Sequence, residues 1–267
     1  MRVPLKYRHT LYALLLPLLF ICGCATTPYT GRQQLMLFSE GEEAQIGEAY
    51  FTEIKATEKI SADERSRALI ERVGARIAAA TDKPDYNWEF ILIENEQVNA
   101  FALPGGKVAF YTGILPTTQD ETGVAVVMGH EVAHALARHG TERLSQQQLL
   151  SAGGTVLNVA LAGRGPLATE SVMQAYGLGA QLGILLPFSR KHESEADKIG
   201  LILMARAGYD PRAAIGFWKR MAAHSKGNFP PELLSTHPGG ERRIAELEEF
   251  MEIPMQYYEE AVARGAR

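Results

Sequence analysis

The chain has 267 residues, of which 46% are hydrophobic, and its formal net charge is −4 at neutral pH. A chain of this length and composition can bury a sizeable core, and its negative charge argues against nucleic acid as the main partner. The two cysteines, Cys22 and Cys24, both lie near the N-terminus. Disulfides and thiolate metal sites are therefore excluded for the remainder of the chain.

The first 23 residues are typical of a targeting segment. Basic residues precede an apolar run, residues 11–21, that is too short to span a membrane. A small residue directly before a cysteine is the pattern of a bacterial lipoprotein cleavage site. Gly23 therefore predicts cleavage between residues 23 and 24 and a lipid on Cys24. A plain signal peptide or an uncleaved anchor is the alternative. Residues 24–38 are then expected to form a lipidated N-terminus and an extended tether.

Local signals predict two helices and then a hairpin. Ser39 with Glu42 forms a capping box for a helix to about residue 59, and Ser61 with Glu64 opens another to about residue 80. Alternation predicts a strand at residues 88–94. Residues 98–103 and 107–111 flank a Pro-Gly-Gly turn and are expected to pair as a hairpin.

The second half of the chain is predicted to be mainly helical. Residues 171–186 are apolar and glycine-rich, which favours a core helix closed by Pro187; a lid or a membrane-facing helix is the alternative. A mobile loop is expected at residues 225–235, and a charged tail after Pro254. The predicted helices are 120–139, 141–160, 171–186, 190–207, 211–224 and 241–251. The fold class is therefore α+β and mostly helical, with one domain over residues 39–267.

His-Glu-x-x-His stands within an apolar helical segment. His130 and His134 are four residues apart, so both imidazoles lie on one helix face and can meet at one metal ion. Glu131 lies about 100° around the helix, where it can accept a proton from a water activated by the metal. His139 is five residues after His134 and is expected to point away from the ligand face. These spacings predict a zinc site with Glu131 as the general base.

The third ligand of a catalytic zinc site must come from elsewhere in the chain. Gly140 stands where a metzincin has its third histidine, so that class is excluded. The next candidate is the charged start of the helix at residues 190–207. Glu193 and Asp197 are four residues apart and share a face. One carboxylate could bind the metal while the other accepts the N–H of a ligand imidazole.

The chain resembles the HtpX and CAAX-prenyl-protease family of zinc metallopeptidases, including its bacterial lipoprotein members and the related mitochondrial proteases. The resemblance implies a zincin-type domain with a small sheet beside the motif helix. It implies that Glu193 is the third zinc ligand and that Asp197 supports the ligands. Glu195 fits only a looser form of the pattern, so its replacement is expected to leave metal binding unchanged. The segments that carry the resemblance are 99–106, 130–134, 193–197 and 236–238.

The resemblance also assigns the substrate strand and two further residues. The strand at Asn99, Ala100 and Phe101 is implied to lie beside the zinc and to pair with substrate backbone. His237 precedes a proline at a helix mouth, which on sequence alone favours a surface residue. The resemblance instead implies that His237 occupies the open zinc position at rest or donates to the oxyanion, with Arg243 as its companion.

The sequence therefore predicts an endopeptidase that binds one Zn²⁺ per chain. Its expected substrates are polypeptides of the cell envelope, chiefly misfolded or misassembled ones. The resemblance and the predicted lipid on Cys24 place it at the outer membrane, facing the periplasm, where oligomers or assembly partners are possible. The alternative is a zinc-containing chaperone or assembly factor with weak proteolysis.

Overall fold

The structure is a computed structural model that describes residues 24–83, 85–224, 233, 237 and 240–266. The predicted signal peptide, residues 1–23, lies outside the described residues. So does the predicted loop at residues 225–235, apart from Leu233, and so do Thr236 and Pro238 on either side of His237. Within the described residues, none of the helices combines the length and the hydrophobicity that crossing a bilayer requires.

The strands form two small sheets. The first is an antiparallel pair, and the second has the order β3-β5-β4, with β5 parallel to β3 and antiparallel to β4. The predicted hairpin is confirmed: β4 and β5 are joined by a turn in which Gly105 and Gly106 both take positive φ, as glycine readily does. The strands are β1 Cys24–Thr26, β2 Gln33–Leu35, β3 Glu89–Ile93, β4 Ala100–Leu103 and β5 Lys107–Tyr111.

Helices make up most of the described chain, which confirms the predicted α+β, mostly helical class. A 3₁₀ turn at Thr112–Ile114 follows β5, and a π-helical turn at Gln181–Leu185 joins α6 to α7. The α-helices are α1 Glu40–Thr57, α2 Glu64–Ala79, α3 Leu115–Thr118, α4 Glu121–Leu136, α5 His139–Ala160, α6 Pro166–Ala180, α7 Leu186–Arg206, α8 Ala213–His224, α9 Glu241–Phe250 and α10 Glu252–Ala263.

The motif helix α4 is the centre of the core. It packs against α2, β4, α7 and α8, and nearly all of its residues are buried, as expected for a helix that is apolar around its whole circumference. It meets α7 at a glycine pair, Gly129 and Gly200. A Cβ on Gly200 would lie 2.9 Å from the carbonyl carbon of Gly129 and 2.9 Å from the nitrogen of His130. The close approach of the two backbones therefore requires glycine.

Two predicted helix signals require correction. The N-cap of α2 is Asp63, whose carboxylate accepts from the backbone N–H groups of Arg65 and Ser66, and Ser61 instead stands two residues before it. The predicted charged tail after Pro254 is helix α10. Pro254 lies in its first turn, where the missing N–H would have no partner in the helix.

The predicted core helix at residues 171–186 is also wrong. Helix α6 contains no buried residue and packs mainly on α5, where the Tyr176 hydroxyl donates to the carbonyl of Leu150. Val172 and Leu178, two apolar side chains of the predicted stretch, are exposed. Pro187 does not end this helical stretch but lies in the first turn of α7.

The N-terminal segment is folded onto the domain. Residues 24–38, predicted as an extended tether, contain β1 and β2, and Thr27 and Met36 are buried. The backbone N–H of Leu37 donates to the Ser145 hydroxyl on α5. The capping box of α1 is as predicted, with Ser39 and Glu42 bonding reciprocally.

Candidate metal centre

Helices α4 and α7 bring the predicted ligands together. His130 Nε2 lies 3.1 Å from His134 Nε2 and 3.3 Å from Glu193 Oε2, and His134 Nε2 lies 3.4 Å from Glu193 Oε1. His130 and Glu193 are buried, and His134 is nearly so. The i, i+4 spacing on α4 supplies the two imidazoles, and the glycine contact with α7 brings the carboxylate to them.

A fourth donor completes the cluster. His237 Nδ1 lies 3.2 Å from His130 Nε2 and 3.0 Å from each oxygen of Glu193. A tetrahedral zinc with bonds of about 2.0–2.1 Å has ligand–ligand edges of about 3.4 Å. The five edges at 3.0–3.4 Å therefore match the size of such a centre. Three imidazoles and one carboxylate also suit Zn²⁺ chemically.

Glu131 lies beside the cluster rather than in it. Its carboxylate is buried, and Oε1 has no hydrogen-bond partner among the described residues. The nearest imidazole nitrogen is His237 Nε2, at 3.7 Å. A buried carboxylate oxygen is costly without a donor, so this position suits a water molecule between Glu131 and a bound metal.

Asp197 lies behind His130, and Arg243 extends from Asp197 to the cluster. Arg243 Nη1 lies 3.7 Å from Glu193 Oε2 and donates to the His237 carbonyl oxygen at 3.4 Å. His130 Nδ1 donates to Asp197 Oδ1 at 3.0 Å, which leaves its Nε2 to face the cluster. Arg243 Nη2 donates to the same carboxylate oxygen at 2.5 Å, and its guanidinium stacks on the Trp218 ring. Carboxylates in this position commonly fix the tautomer of a ligating histidine.

Charges around His130 favour its protonated form when no metal is bound. Burial and the charge of Arg243 lower the pKa of His130, but hydrogen bonds to Asp197 and Glu193 outweigh them and raise it to about 9. Metal ligands must be deprotonated, so a divalent cation at this position replaces the proton of His130.

The other donors are held in the forms that bind a metal. Burial lowers the pKa of His134 well below its usual range, which keeps its imidazole neutral. Burial raises the pKa of Glu193, yet the surrounding imidazoles hold that pKa well below its usual range. Burial also raises the pKa of Glu131. A neutral imidazole and an ionised carboxylate are the states that ligation requires.

Sequence reasoning missed two residues next to the cluster. His139 was expected to point away, but its Nδ1 lies 2.9 Å from His134 Nδ1. Helix α4 ends at Leu136, and Arg138 takes a left-handed φ of 58°, so the chain turns and His139 begins α5. Glu195 is buried and accepts from His139 Nε2 at 3.0 Å. A sequence signal for them exists: a second histidine, His139, follows His134 closely, and a second glutamate, Glu195, follows Glu193 closely, and such residues can bond to each other behind the ligands.

The predicted substrate strand borders α4. Ala100 is buried and Phe101 packs edge-on against Tyr111, while the Asn99 carbonyl accepts from the backbone N–H of Tyr111. In the order β3-β5-β4, the outer edge of β4 pairs with no other strand among the described residues. The outer edge of β3 is partly closed by a bridge between Ile60 and Ile93. The strand with this edge, β4, contacts the motif helix α4, and just before β4 the Val98 carbonyl accepts from the backbone N–H of Leu233.

Comparisons with known proteins agree with this geometry. The model of peptidase family M48 matches residues 64–251. The mitochondrial metalloendopeptidase OMA1 of Schizosaccharomyces pombe is 39% identical over 183 residues, which are 68% of this chain and 52% of that protein. The beta-barrel assembly-enhancing protease of Escherichia coli is 29% identical over 231 residues, 85% of this chain and 47% of that protein.

The human mitochondrial metalloendopeptidase OMA1 is 31% identical over 259 residues, 90% of this chain and 48% of that protein. The chain thus spans about half the length of the curated relatives that it matches. The family match covers well over half of the chain and contains His130, Glu131, His134 and Glu193. The chain therefore belongs to peptidase family M48.

Proposed function

We propose that the chain is a zinc metalloendopeptidase in which His130, His134 and Glu193 hold one Zn²⁺ per chain. The observation that carries this proposal is the cluster of donors within 4.8 Å of one another, beside the Glu131 carboxylate, whose Oε1 has no hydrogen-bond partner in the described part of the chain. The cluster holds four donors, which is also the number that closes a structural zinc site, but structural sites commonly use cysteines and none of these donors is a cysteine. Withdrawal of His237 would leave three protein ligands and a position for water, with the Glu131 carboxylate beside it to accept a proton. A hydrolytic site is the better fit.

Glu131 is the proposed general base and acid. When bound, zinc supplies a Lewis acid that polarises the substrate carbonyl and activates water. Glu131 accepts the proton of the attacking water and returns it to the leaving amine. Its burial raises its pKa and so brings it closer to the range in which a carboxylate can both accept and return a proton.

The open edge of β4 is the proposed substrate-binding strand. A polypeptide that pairs with Ala100 and Phe101 through main-chain hydrogen bonds would run alongside α4, which carries the metal ligands. Main-chain pairing depends little on side chains, so it permits many sequences. This suits an enzyme that acts on damaged proteins with unrelated sequences.

His237 is the proposed gate of the metal position. Its Nδ1 lies as close to the donors of His130 and Glu193 as those donors lie to each other. With a metal bound, His237 would complete four protein ligands and exclude water. The resting site is then closed, and activity requires His237 to withdraw. Donation to the oxyanion is the alternative role.

The proposed substrates are misfolded or misassembled proteins of the cell envelope. A lipid on Cys24 would hold the enzyme at a membrane, with the outer membrane facing the periplasm as the proposed place. The name of the Escherichia coli relative, a beta-barrel assembly-enhancing protease, supports an envelope role. The same name favours a second candidate, a zinc-containing assembly factor or chaperone with weak proteolysis.

Glu131→Gln tests the proposed activity. The amide keeps the size of the side chain but cannot take a proton, so zinc content should stay near one per chain. Cleavage of casein should fall at least about 100-fold, the lower range of general acid–base catalysis. Glu96→Gln, on a loop outside the cluster, is the control. Unchanged cleavage by Glu131→Gln would refute the assignment.

The two candidate functions differ in what accumulates in cells. Comparative proteomics of the envelope with wild type and with Glu131→Gln separates them. A protease leaves specific envelope proteins undegraded in the variant. An assembly factor that does not need cleavage leaves the two proteomes alike, and that outcome would favour the second candidate.

A further inference from the structure

The two histidines of the motif helix have different partners behind them. His130 Nδ1 donates directly to a carboxylate, that of Asp197. His134 Nδ1 instead meets another imidazole, the Nδ1 of His139, at 2.9 Å. Since His134 Nε2 faces the metal cluster, its proton must lie on Nδ1 when a metal is bound. His134 Nδ1 therefore donates, and His139 Nδ1 accepts.

That direction fixes the next hydrogen bond. With Nδ1 accepting, neutral His139 carries its proton on Nε2, which donates to Glu195 Oε2 at 3.0 Å. The ring of His192 stacks on the ring of His139, with centroids 4.3 Å apart and planes 12° from parallel. His139 thus acts as a rigid spacer that links a metal-facing imidazole to a carboxylate too distant to reach it.

The carboxylate at the end of this chain of hydrogen bonds is held by the N-terminal segment. Its Oε1 accepts from the Thr27 hydroxyl at 2.8 Å and from the Thr30 hydroxyl, and its Oε2 accepts from Arg32 Nε at 2.8 Å. Arg32 also donates through both terminal nitrogens to Glu142 on α5. Three of the four donors to Glu195 therefore come from residues 27–32, which begin three residues after Cys24.

We propose that His139 and Glu195, held by the turn at residues 27–32, are positioning residues that fix His134 in its metal-binding tautomer. Metal retention then depends on the docking of a segment that is adjacent to Cys24. The inference rests on the proposed metal site, and it reverses the expectation from sequence that replacing Glu195 leaves metal binding unchanged. It adds that the N-terminal turn is part of that site's support rather than a passive connection.

The test measures zinc affinity directly, without reference to proteolysis. Full-length protein is titrated with zinc against a chromophoric chelator, and the cobalt-substituted protein gives a visible spectrum that reports ligand geometry. His139→Leu should lower zinc affinity about 10–100-fold, as loss of such outer partners does. His139→Asn, whose amide oxygen can accept from His134 Nδ1, should restore most of the affinity and the wild-type cobalt spectrum.

A second variant tests the same link without a large change in the core. Thr27→Val removes one donor to Glu195 while keeping side-chain volume, and it should lower zinc affinity at least about twofold, the low end for one hydrogen bond. Lys107→Met is the matched control. It deletes a buried cation whose ion pairs are with Glu48 and Glu89, so it should change stability but not zinc affinity.

The outcomes separate this inference from the proposed function. If wild-type protein binds no zinc, the proposed function fails first. If wild type binds zinc but His139→Leu and Thr27→Val bind it equally well, only the positioning role is overturned. A loss in His139→Leu that His139→Asn does not reduce, and that Lys107→Met reproduces, would also overturn it.

Discussion

At the scale of single residues, orientation of the donors depends on groups that never touch the metal position. The Asp197 carboxylate holds the ring of His130 and is itself neutralised by Arg243. Burial of two such charges is tolerated only when both are paired, because breaking one buried pair costs about 3–5 kcal/mol. The ion pair and the metal ligand are thus stabilised together.

Replacing Asp197 should separate these roles. Asp197→Asn keeps an oxygen for His130 Nδ1, whereas Asp197→Ala removes it together with the shortest ion pair of Arg243. We expect zinc affinity to fall about 10–100-fold in Asp197→Ala and less in Asp197→Asn. Metal analysis after dialysis measures this. Glu260→Ala, which removes an exposed carboxylate paired with Arg264 on α10, is the control. Equal zinc retention in both Asp197 variants and wild type would contradict the expectation.

His237→Ala should raise proteolysis if His237 closes the site at rest. The expected increase in cleavage rate is the inverse of the fraction of wild-type molecules in which His237 has left the metal position. It is about tenfold if the closed state is favoured by about 1.4 kcal/mol. Zinc should remain, because His130, His134 and Glu193 still hold it. Casein cleavage and zinc content are measured together. A lower kcat with zinc retained would instead assign His237 to the oxyanion.

At the scale of secondary structure, the approach of α4 and α7 sets the size of the cluster. Gly200→Ala places a methyl group against the backbone of Gly129. Overpacking of this kind costs about 1–3 kcal/mol, and pushing the helices apart should also weaken zinc binding. Thermal unfolding and zinc titration measure the two effects. Gly177→Ala, also within a helix but with nothing within 4 Å, should be neutral or slightly stabilising.

The same elements show what sequence could and could not predict. The capping box at Ser39 and the i, i+4 pair on α4 are local signals, and both are confirmed. The prediction that His139 points away from the ligands is wrong because the chain turns at Arg138, which has a left-handed φ. Nothing in the local sequence indicates that conformation. The apolar composition of residues 171–186 predicts a core helix, but composition alone does not say whether a helix is covered by a partner, and α6 has no buried residue.

At the scale of the whole molecule, the proposed lipid on Cys24 would determine whether the protein is attached to a membrane, and one substitution removes the attachment point. We expect Cys24→Ser to leave the protein in the soluble fraction, because attached acyl chains contribute about 0.8 kcal/mol for each buried methylene. Cys22→Ser should stay with the membrane. Fractionation with immunoblotting measures both. Membrane retention of Cys24→Ser after its leader has been removed would contradict the proposed anchor.

The docked N-terminal turn limits how far the catalytic domain could move from an anchor. Thr27, which is buried, is three positions after Cys24, and an extended chain spans at most about 3.6 Å per residue, so this link is at most about 11 Å long. A lipid on Cys24 would therefore keep the domain next to the lipid headgroups, whereas a long flexible linker would let it move away from the membrane surface. Distance from the membrane, as much as sequence, would then select substrates: only polypeptides within about one domain diameter of the bilayer surface would come within reach of the enzyme.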